Sequence, residues 1–212
     1  MHLNPLKIRH LHNAIDQNTI SELYNLATIA NKSLAHVGNL ENNQYVKSYD
    51  SNICNAYLVD YSNFIDKVEN LIDTCKTIVK EKTKLKCINT EINFLYYNNG
   101  GKYWPHIDGQ AFINENTLSR GNKNRDITCV VYLNNEYSGG EIYFPFFDLK
   151  YNPKACDIML YPCDFPYMHG VTEVTGQRYA IVLWFETDIP AYSKQDVVIT
   201  DSQILKTLYS IK

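Results

Sequence analysis

Apolar residues recur at helical spacing along the first third of the chain. Ile20, Leu23, Leu26 and Ile29 define one face of a helix predicted over about Thr19–Ala30, with Asp16 and Asn18 as candidate N-caps. Phe64, Val68, Leu71, Ile72, Cys75 and Ile78 repeat the pattern in a second helix, for which Ser62 is a candidate cap. Between them, Glu41–Asn52 is rich in Asn, Tyr and Ser and predicts loop or short strand. From Cys87 the period changes to two. Ile88, Ile92, Phe94 and Tyr96 alternate with Asn89, Asn93 and Tyr97. Further strands are predicted at Ile127–Asn134, Glu141–Phe144, Asp157–Tyr161 and Arg178–Glu186. Asn98-Asn99-Gly100-Gly101, Ser138-Gly139-Gly140 and Gly176 punctuate them as turns. Ile204, Leu205, Leu208 and Tyr209 predict one more helix in the tail.

A helical start followed by a run of short strands predicts a mainly β fold, a sandwich or barrel-like double sheet with helices packed on one outer face. No linker divides the chain. The expectation is one domain over 1–212: a helical support region at 1–86, a β core at 87–188 and a tail at 189–212. A hydrophobic fraction of 45% and a charged fraction of 20% accord with a water-soluble protein. The net charge of −3 gives no attraction to nucleic acid or to anionic membranes, and neither is expected as a partner. No apolar run is long enough to cross a bilayer, and the first residues lack the apolar stretch of a secretory signal. A cytoplasmic protein is therefore expected. Its six scattered cysteines, Cys54, Cys75, Cys87, Cys129, Cys156 and Cys163, read as reduced and mostly buried thiols.

The candidate chemistry lies in the β region. Tyr103-Trp104-Pro105-His106-Ile107-Asp108-Gly109 contains H-x-D. In extended chain, residues two apart share a face, so His106 and Asp108 can grip one ion. His169, at the end of a predicted strand far along the chain, offers a third ligand. Two imidazoles and one carboxylate make the facial triad of non-haem iron(II) oxygenases. Such sparse ligation leaves coordination positions for a chelating 2-oxo acid and for dioxygen. Alone, H-x-D is a weak signal. Arg178 strengthens it, because it opens an otherwise apolar strand, Arg178-Tyr179-Ala180-Ile181-Val182-Leu183-Trp184-Phe185. A guanidinium there suits a bidentate clamp on the distal carboxylate of 2-oxoglutarate. His10 and His12 form a second alternating pair, H-x-H, with no third ligand in view.

The stretch from about Cys87 to Glu186 resembles the catalytic core of the prolyl 4-hydroxylase-like iron(II)/2-oxoglutarate dioxygenases. The matching pieces stand in order: Tyr96-Tyr97-Asn98-Asn99-Gly100-Gly101-Lys102-Tyr103, then His106-Ile107-Asp108, Thr128-Cys129-Val130-Val131-Tyr132-Leu133-Asn134, Ser138-Gly139-Gly140-Glu141-Ile142, and His169-Gly170 through Arg178-Tyr179. The resemblance covers about half of the chain. It implies a double-stranded β-helix, or jelly-roll, with the metal in its open mouth. It also implies that Tyr96 and Tyr132 contact 2-oxoglutarate, that Tyr103 lines the site, and that Val130, Ile142 and Trp184 form apolar walls. Collagen-type and plant relatives carry Lys where this chain has Tyr179; Arg178 instead matches the hypoxia-inducible-factor prolyl hydroxylases. Related halogenases have a small residue at the place of Asp108, so a carboxylate there favours hydroxylation. DNA demethylases of the AlkB type carry a second Arg where this chain has Trp184.

The implied reaction hydroxylates a C–H bond with release of succinate and carbon dioxide. It uses iron(II), 2-oxoglutarate and dioxygen, with ascorbate as a supporting reductant. Peptidyl proline in a peptide or protein is the substrate that the resemblance favours. A free amino acid or small metabolite, or a non-catalytic metal-binding jelly-roll, are the alternatives. The long polar segment Gly109–Asp126 directly follows the first two ligands and is a candidate lid.

Overall fold

Two antiparallel sheets face each other, and two helices cover the outer side of the larger one. The structure is a computed structural model describing residues 7–41, 44–109, 111–112, 117–119, 124–188, 197–198 and 200–203. The larger sheet has seven strands in the order Arg9–Leu11, Ile158–Pro162, Ile127–Tyr132, Arg178–Thr187, Cys87–Tyr97, Tyr57–Val59 and Lys32–Leu34. The smaller has five, in the order Leu149–Tyr151, Ile142–Phe144, His169–Val171, Lys102–His106 and Cys54–Asn55. This is the expected mainly β jelly-roll with its helices on one sheet.

Helix α1 spans Gln17–Ile29, and the Asp16 side chain caps it by accepting from the Thr19 amide at 3.0 Å. Its far end is closed by the Lys32 ammonium, which donates to the carbonyls of Ala27, Thr28 and Ala30. The buried stripe is Ile20, Leu23 and Ala27. Ile29 departs from the expected face and is 84% exposed. At about 100° per residue it stands roughly half a turn from Ile20. Helix α2 spans Ile65–Thr83 and buries Val68, Leu71, Cys75 and Val79. Ser62 does not cap it. A short 3₁₀ turn at Ser62–Phe64 intervenes, and the Ser62 amide donates to Asp60 at 3.0 Å.

These helices bury their stripes against Phe94, Ile127, Cys129, Val131, Tyr179, Ile181, Leu183 and Phe185 on the larger sheet. The opposite side chains of the same strands, Leu95, Tyr97, Val130, Tyr132, Ala180, Val182 and Trp184, meet Ile142, Phe144 and Val171 of the smaller sheet. Central strands are thus buried on both faces, which is why Ile127–Tyr132 and Arg178–Thr187 are nearly continuous in apolar character.

The first third is less purely helical than expected. It contributes edge strands to both sheets and a hairpin of Val37–Glu41 with Gln44–Ser48. Strands of two or three residues are too short to show a period in sequence. All six cysteines are unpaired, and all but Cys87 are buried. About half of the expected lid at 109–126 lies outside the described residues. Within it, Ala111–Phe112 and Thr117–Ser119 pair antiparallel, and Val197–Val198 adds a third strand. Most of the tail helix expected within 189–212 also lies outside the described residues.

Candidate metal centre and co-substrate cradle

Strand register brings the three expected ligands together. His106 ends Lys102–His106, and its antiparallel partner across the ladder is His169, the first residue of His169–Val171. Asp108 follows two residues after His106 and shares its side of the chain. His106 Nε2 is 3.5 Å from Asp108 Oδ1, and His169 Nε2 is 3.6 Å from Asp108 Oδ2. One ligand atom from each lies within 4.8 Å of the others, a separation that one ion can bridge.

Neighbouring groups aim these donors. His106 Nδ1 donates to the Trp104 carbonyl at 2.9 Å, and His169 Nδ1 to the Tyr167 carbonyl at 3.0 Å. Both rings are thereby held with the Nε2 lone pair inward. Burial pushes the pKa of His169 down to about 4, and His106 adds to that against the pull of Asp108. The ring is therefore neutral, as a ligand must be. Burial alone raises the Asp108 carboxyl, but His169, His106 and Thr128 hold it well below its usual range. The Thr128 hydroxyl donates to Asp108 Oδ2 at 2.6 Å. Thr128→Val removes this bond with little change of shape, and iron affinity is expected to fall about 10- to 100-fold by titration, with the unfolding transition little moved.

A candidate cradle for a carboxylate lies on the inner face of the larger sheet, opposite the sheet that carries both histidines. Arg178 is 2% exposed, and among the described residues no carboxylate pairs with it. Its guanidinium stands 5.0 Å from the ring centroids of both Tyr97 and Tyr132. Burial opposes its charge, while the phenols of Tyr132, Tyr137 and Tyr97 favour it and leave its pKa raised. Arg178 Nε and the Tyr132 hydroxyl are buried and find no hydrogen-bond partner among the described residues. Two such groups converging in an apolar interior fit a missing acceptor. Gly140 allows the approach: its φ is +66°, and a Cβ there would meet Arg178 Cδ at 2.8 Å. Gly140→Ala is expected to raise the KM for 2-oxoglutarate several-fold and to lower the unfolding temperature, since left-handed backbone costs a side chain about 1–2 kcal/mol.

Of the residues matched by resemblance, Val130, Tyr132, Ile142 and Trp184 face the space between the sheets. Tyr103 stacks on His106, with ring centroids 3.7 Å apart. Trp184 lies under Arg125, whose guanidinium is 3.8 Å from its ring and donates to the Asp108 carbonyl at 3.1 Å. Tyr96 is placed elsewhere. It faces the helices, 4.7 Å from the Tyr179 ring and beneath the Lys32 ammonium, while its neighbour Tyr97 enters the cradle. Tyr137, Thr128 and Tyr161 join the site without having been singled out. Tyr161 donates its hydroxyl to His169 Nε2 at 3.0 Å, a bond that a metal would displace. Period two alone places Thr128 and Tyr161 on the inner face; nothing in the sequence marks their partners. A separate cavity of about 570 Å³, on the smaller sheet beside Trp104, Tyr143, Pro145 and Leu149, contains neither the triad nor Arg178.

Residues 92–186, which hold every one of these groups, match the model of the 2OG-Fe(II) oxygenase superfamily. Over this stretch the chain is similar to the 2OG-Fe(II) oxygenases. It is 32% identical over 126 residues to a PKHD-type hydroxylase of Teredinibacter turnerae, covering 56% of this chain and 53% of that protein. The chain thus spans about half the length of this curated relative. Its fold is that of a Pseudomonas putida prolyl-4-hydroxylase, with a TM-score of 0.60 at 16% identity over 85% of this chain and 92% of the other. It is also that of a Trichoplax adhaerens prolyl hydroxylase solved with a hypoxia-inducible-factor peptide fragment, with a TM-score of 0.57 at 17% identity over 87% and 86%. The donor set suits iron(II), and Arg178, which pairs with no carboxylate among the described residues, suits 2-oxoglutarate.

Proposed function

We propose that the protein is an iron(II)- and 2-oxoglutarate-dependent dioxygenase that hydroxylates peptidyl proline, releasing succinate and carbon dioxide. The observation that carries this reading is a buried Arg178 that pairs with no carboxylate among the described residues, on the sheet facing the strands that carry the two histidines of a three-donor metal cluster. His106, Asp108 and His169 hold the iron. Arg178 and the Tyr132 hydroxyl hold the distal carboxylate of 2-oxoglutarate, and Tyr97 and Tyr137 wall it. Bound there, iron and 2-oxoglutarate supply the activation of dioxygen, coupled to decarboxylation.

The chain's own residues bind, orient and exclude water. Thr128 and Arg125 fix the side chain and main chain of Asp108. Val130, Ile142 and Val182 keep the floor between the two ends apolar. None of the triad acts as a general base. Ascorbate serves as the reductant that keeps the iron ferrous. A reducing, cytoplasmic setting accords with the six unpaired thiols.

Proline as the target is supported by the names of the relatives and by the peptide held in the Trichoplax structure. Purified protein with iron(II), ascorbate and 2-oxoglutarate is expected to release succinate and to add one oxygen to a proline-containing peptide, read by mass spectrometry. Oxygen gained by free proline or another small molecule, with peptides untouched, reassigns the substrate. No binding of iron or of 2-oxoglutarate would overturn the enzyme reading and leave a non-catalytic jelly-roll.

A further inference from the structure

The H-x-H pair near the start of the chain acquires in the fold the third donor that the sequence left open. His10 lies in the edge strand Arg9–Leu11, and His12 follows it. That strand pairs antiparallel with Ile158–Pro162, placing His10 opposite Met159. Asp157, which directly precedes the partner strand, therefore comes beside both rings. His10 Nε2 is 2.7 Å from Asp157 Oδ2 and His12 Nδ1 is 3.3 Å from the same oxygen, across 147 and 145 residues of chain. Each of the three offers a ligand atom within 4.8 Å of the others, as the triad does.

The pocket holds the carboxylate firmly and leaves one side open. The Asp157 side chain is 3% exposed, that of His10 14% and that of His12 70%. Main-chain amides of Asn13 and Lys154 donate to the carboxylate, each at 3.0 Å. Held by these two amides, the carboxylate is fixed in place with an oxygen turned toward both rings. Bonds of about 2.0–2.1 Å in a tetrahedral zinc site set donors roughly 3.3 Å apart. The His12–Asp157 spacing already has this value. The His10–Asp157 pair, at 2.7 Å, needs to open by about half an ångström to admit an ion.

We propose that His10, His12 and Asp157 form a second divalent-metal site, of the zinc class, that ties the N-terminal edge strand to the larger sheet. It shares no residue with the triad. It also borders the carboxylate cradle, because the Asp157 carbonyl accepts from the Tyr132 amide at 3.2 Å. An ion there anchors the main chain behind Tyr132. The site's fourth position faces water, on the side of the exposed His12.

The test uses the full chain with the triad disabled as His106→Ala/His169→Ala. By isothermal titration this protein is expected to bind one equivalent of zinc at micromolar concentration, to show the visible bands of tetrahedral cobalt(II), and to melt at a higher temperature with zinc than without. Adding His12→Ala changes an exposed ring, so folding is preserved; zinc affinity is expected to fall at least tenfold, by about the weight of one lost donor, and the thermal shift to vanish. His10→Ala is expected to do the same. Zinc binding absent from the triad-disabled protein, or unchanged by His12→Ala, overturns the site.

Discussion

Replacing His169 by alanine is expected to abolish iron-dependent release of succinate and to lower iron affinity by more than about 100-fold, beyond the effect typical of an outer hydrogen-bond partner. The reason is the small number of donors. In the proposed reading three side chains would hold the ion, and among them His169 is buried, neutral and aimed by the Tyr167 carbonyl. With it gone, the partly buried His106 remains, and Asp108 keeps Thr128 but loses one of its two imidazole neighbours. Among the described residues Tyr161, whose hydroxyl is 3.0 Å from His169 Nε2, does not replace the ring, since it is a phenol whose pKa burial raises far above neutrality. Circular dichroism and 2-oxoglutarate-dependent thermal shift separate loss of metal from loss of fold. Arg178 is untouched, so residual binding of the distal carboxylate is expected to persist. Iron-dependent turnover near the unsubstituted level would falsify the ligand assignment.

Much of this site was legible because β-structure converts sequence parity into geometry. His106 and Asp108 share a face two residues apart, and so do Arg178, Ala180, Val182 and Trp184. Capping was legible too: Asp16 offers a carboxylate to an amide three residues on, as its position implied. What parity cannot supply is which face points inward when both are buried. Tyr96 and Tyr97 are neighbours of equal character on a central strand, between helices on one side and a second sheet on the other. Only the pairing of Arg178 opposite Tyr97 decides that Tyr97 enters the cradle. Long-range partners were illegible for the same reason. Nothing local announces that Asp157 will stand beside His10, or Thr128 beside Asp108; both follow from strand pairing.

The same interior explains why the functional groups are costly to keep. The space between the sheets is lined by Val130, Ile142, Phe144, Ala180 and Val182, and into it the fold places a cation and a carboxylate. Asp108 is compensated by hydrogen bonds and neighbouring imidazoles. Among the described residues Arg178 has the rings and phenol groups of Tyr97, Tyr132 and Tyr137 beside it, which offer a guanidinium less than an anion does. A protein selected for stability alone would not retain such a residue.

Substituting Arg178 by methionine is therefore expected to separate function from stability. Truncating one partner of a buried charged pair costs about 2–5 kcal/mol of binding, so affinity for 2-oxoglutarate is expected to fall on the order of 30-fold or more. Iron affinity, measured without 2-oxoglutarate, is expected to stay within a few-fold, because Arg178 touches none of the ligands. The unfolding temperature without ligand is expected to hold or rise, since a buried charge lacking an anion gives way to an apolar chain of similar length. Added 2-oxoglutarate stabilises the unsubstituted protein and is expected to do so far less for the variant. Arg178→Lys keeps the charge without the planar fork, and an intermediate affinity is expected. Unchanged 2-oxoglutarate affinity in Arg178→Met sinks the clamp. A large fall in unfolding temperature would mean instead that the guanidinium is structural, held by Tyr97, Tyr132 and Tyr137 for packing and not for a ligand.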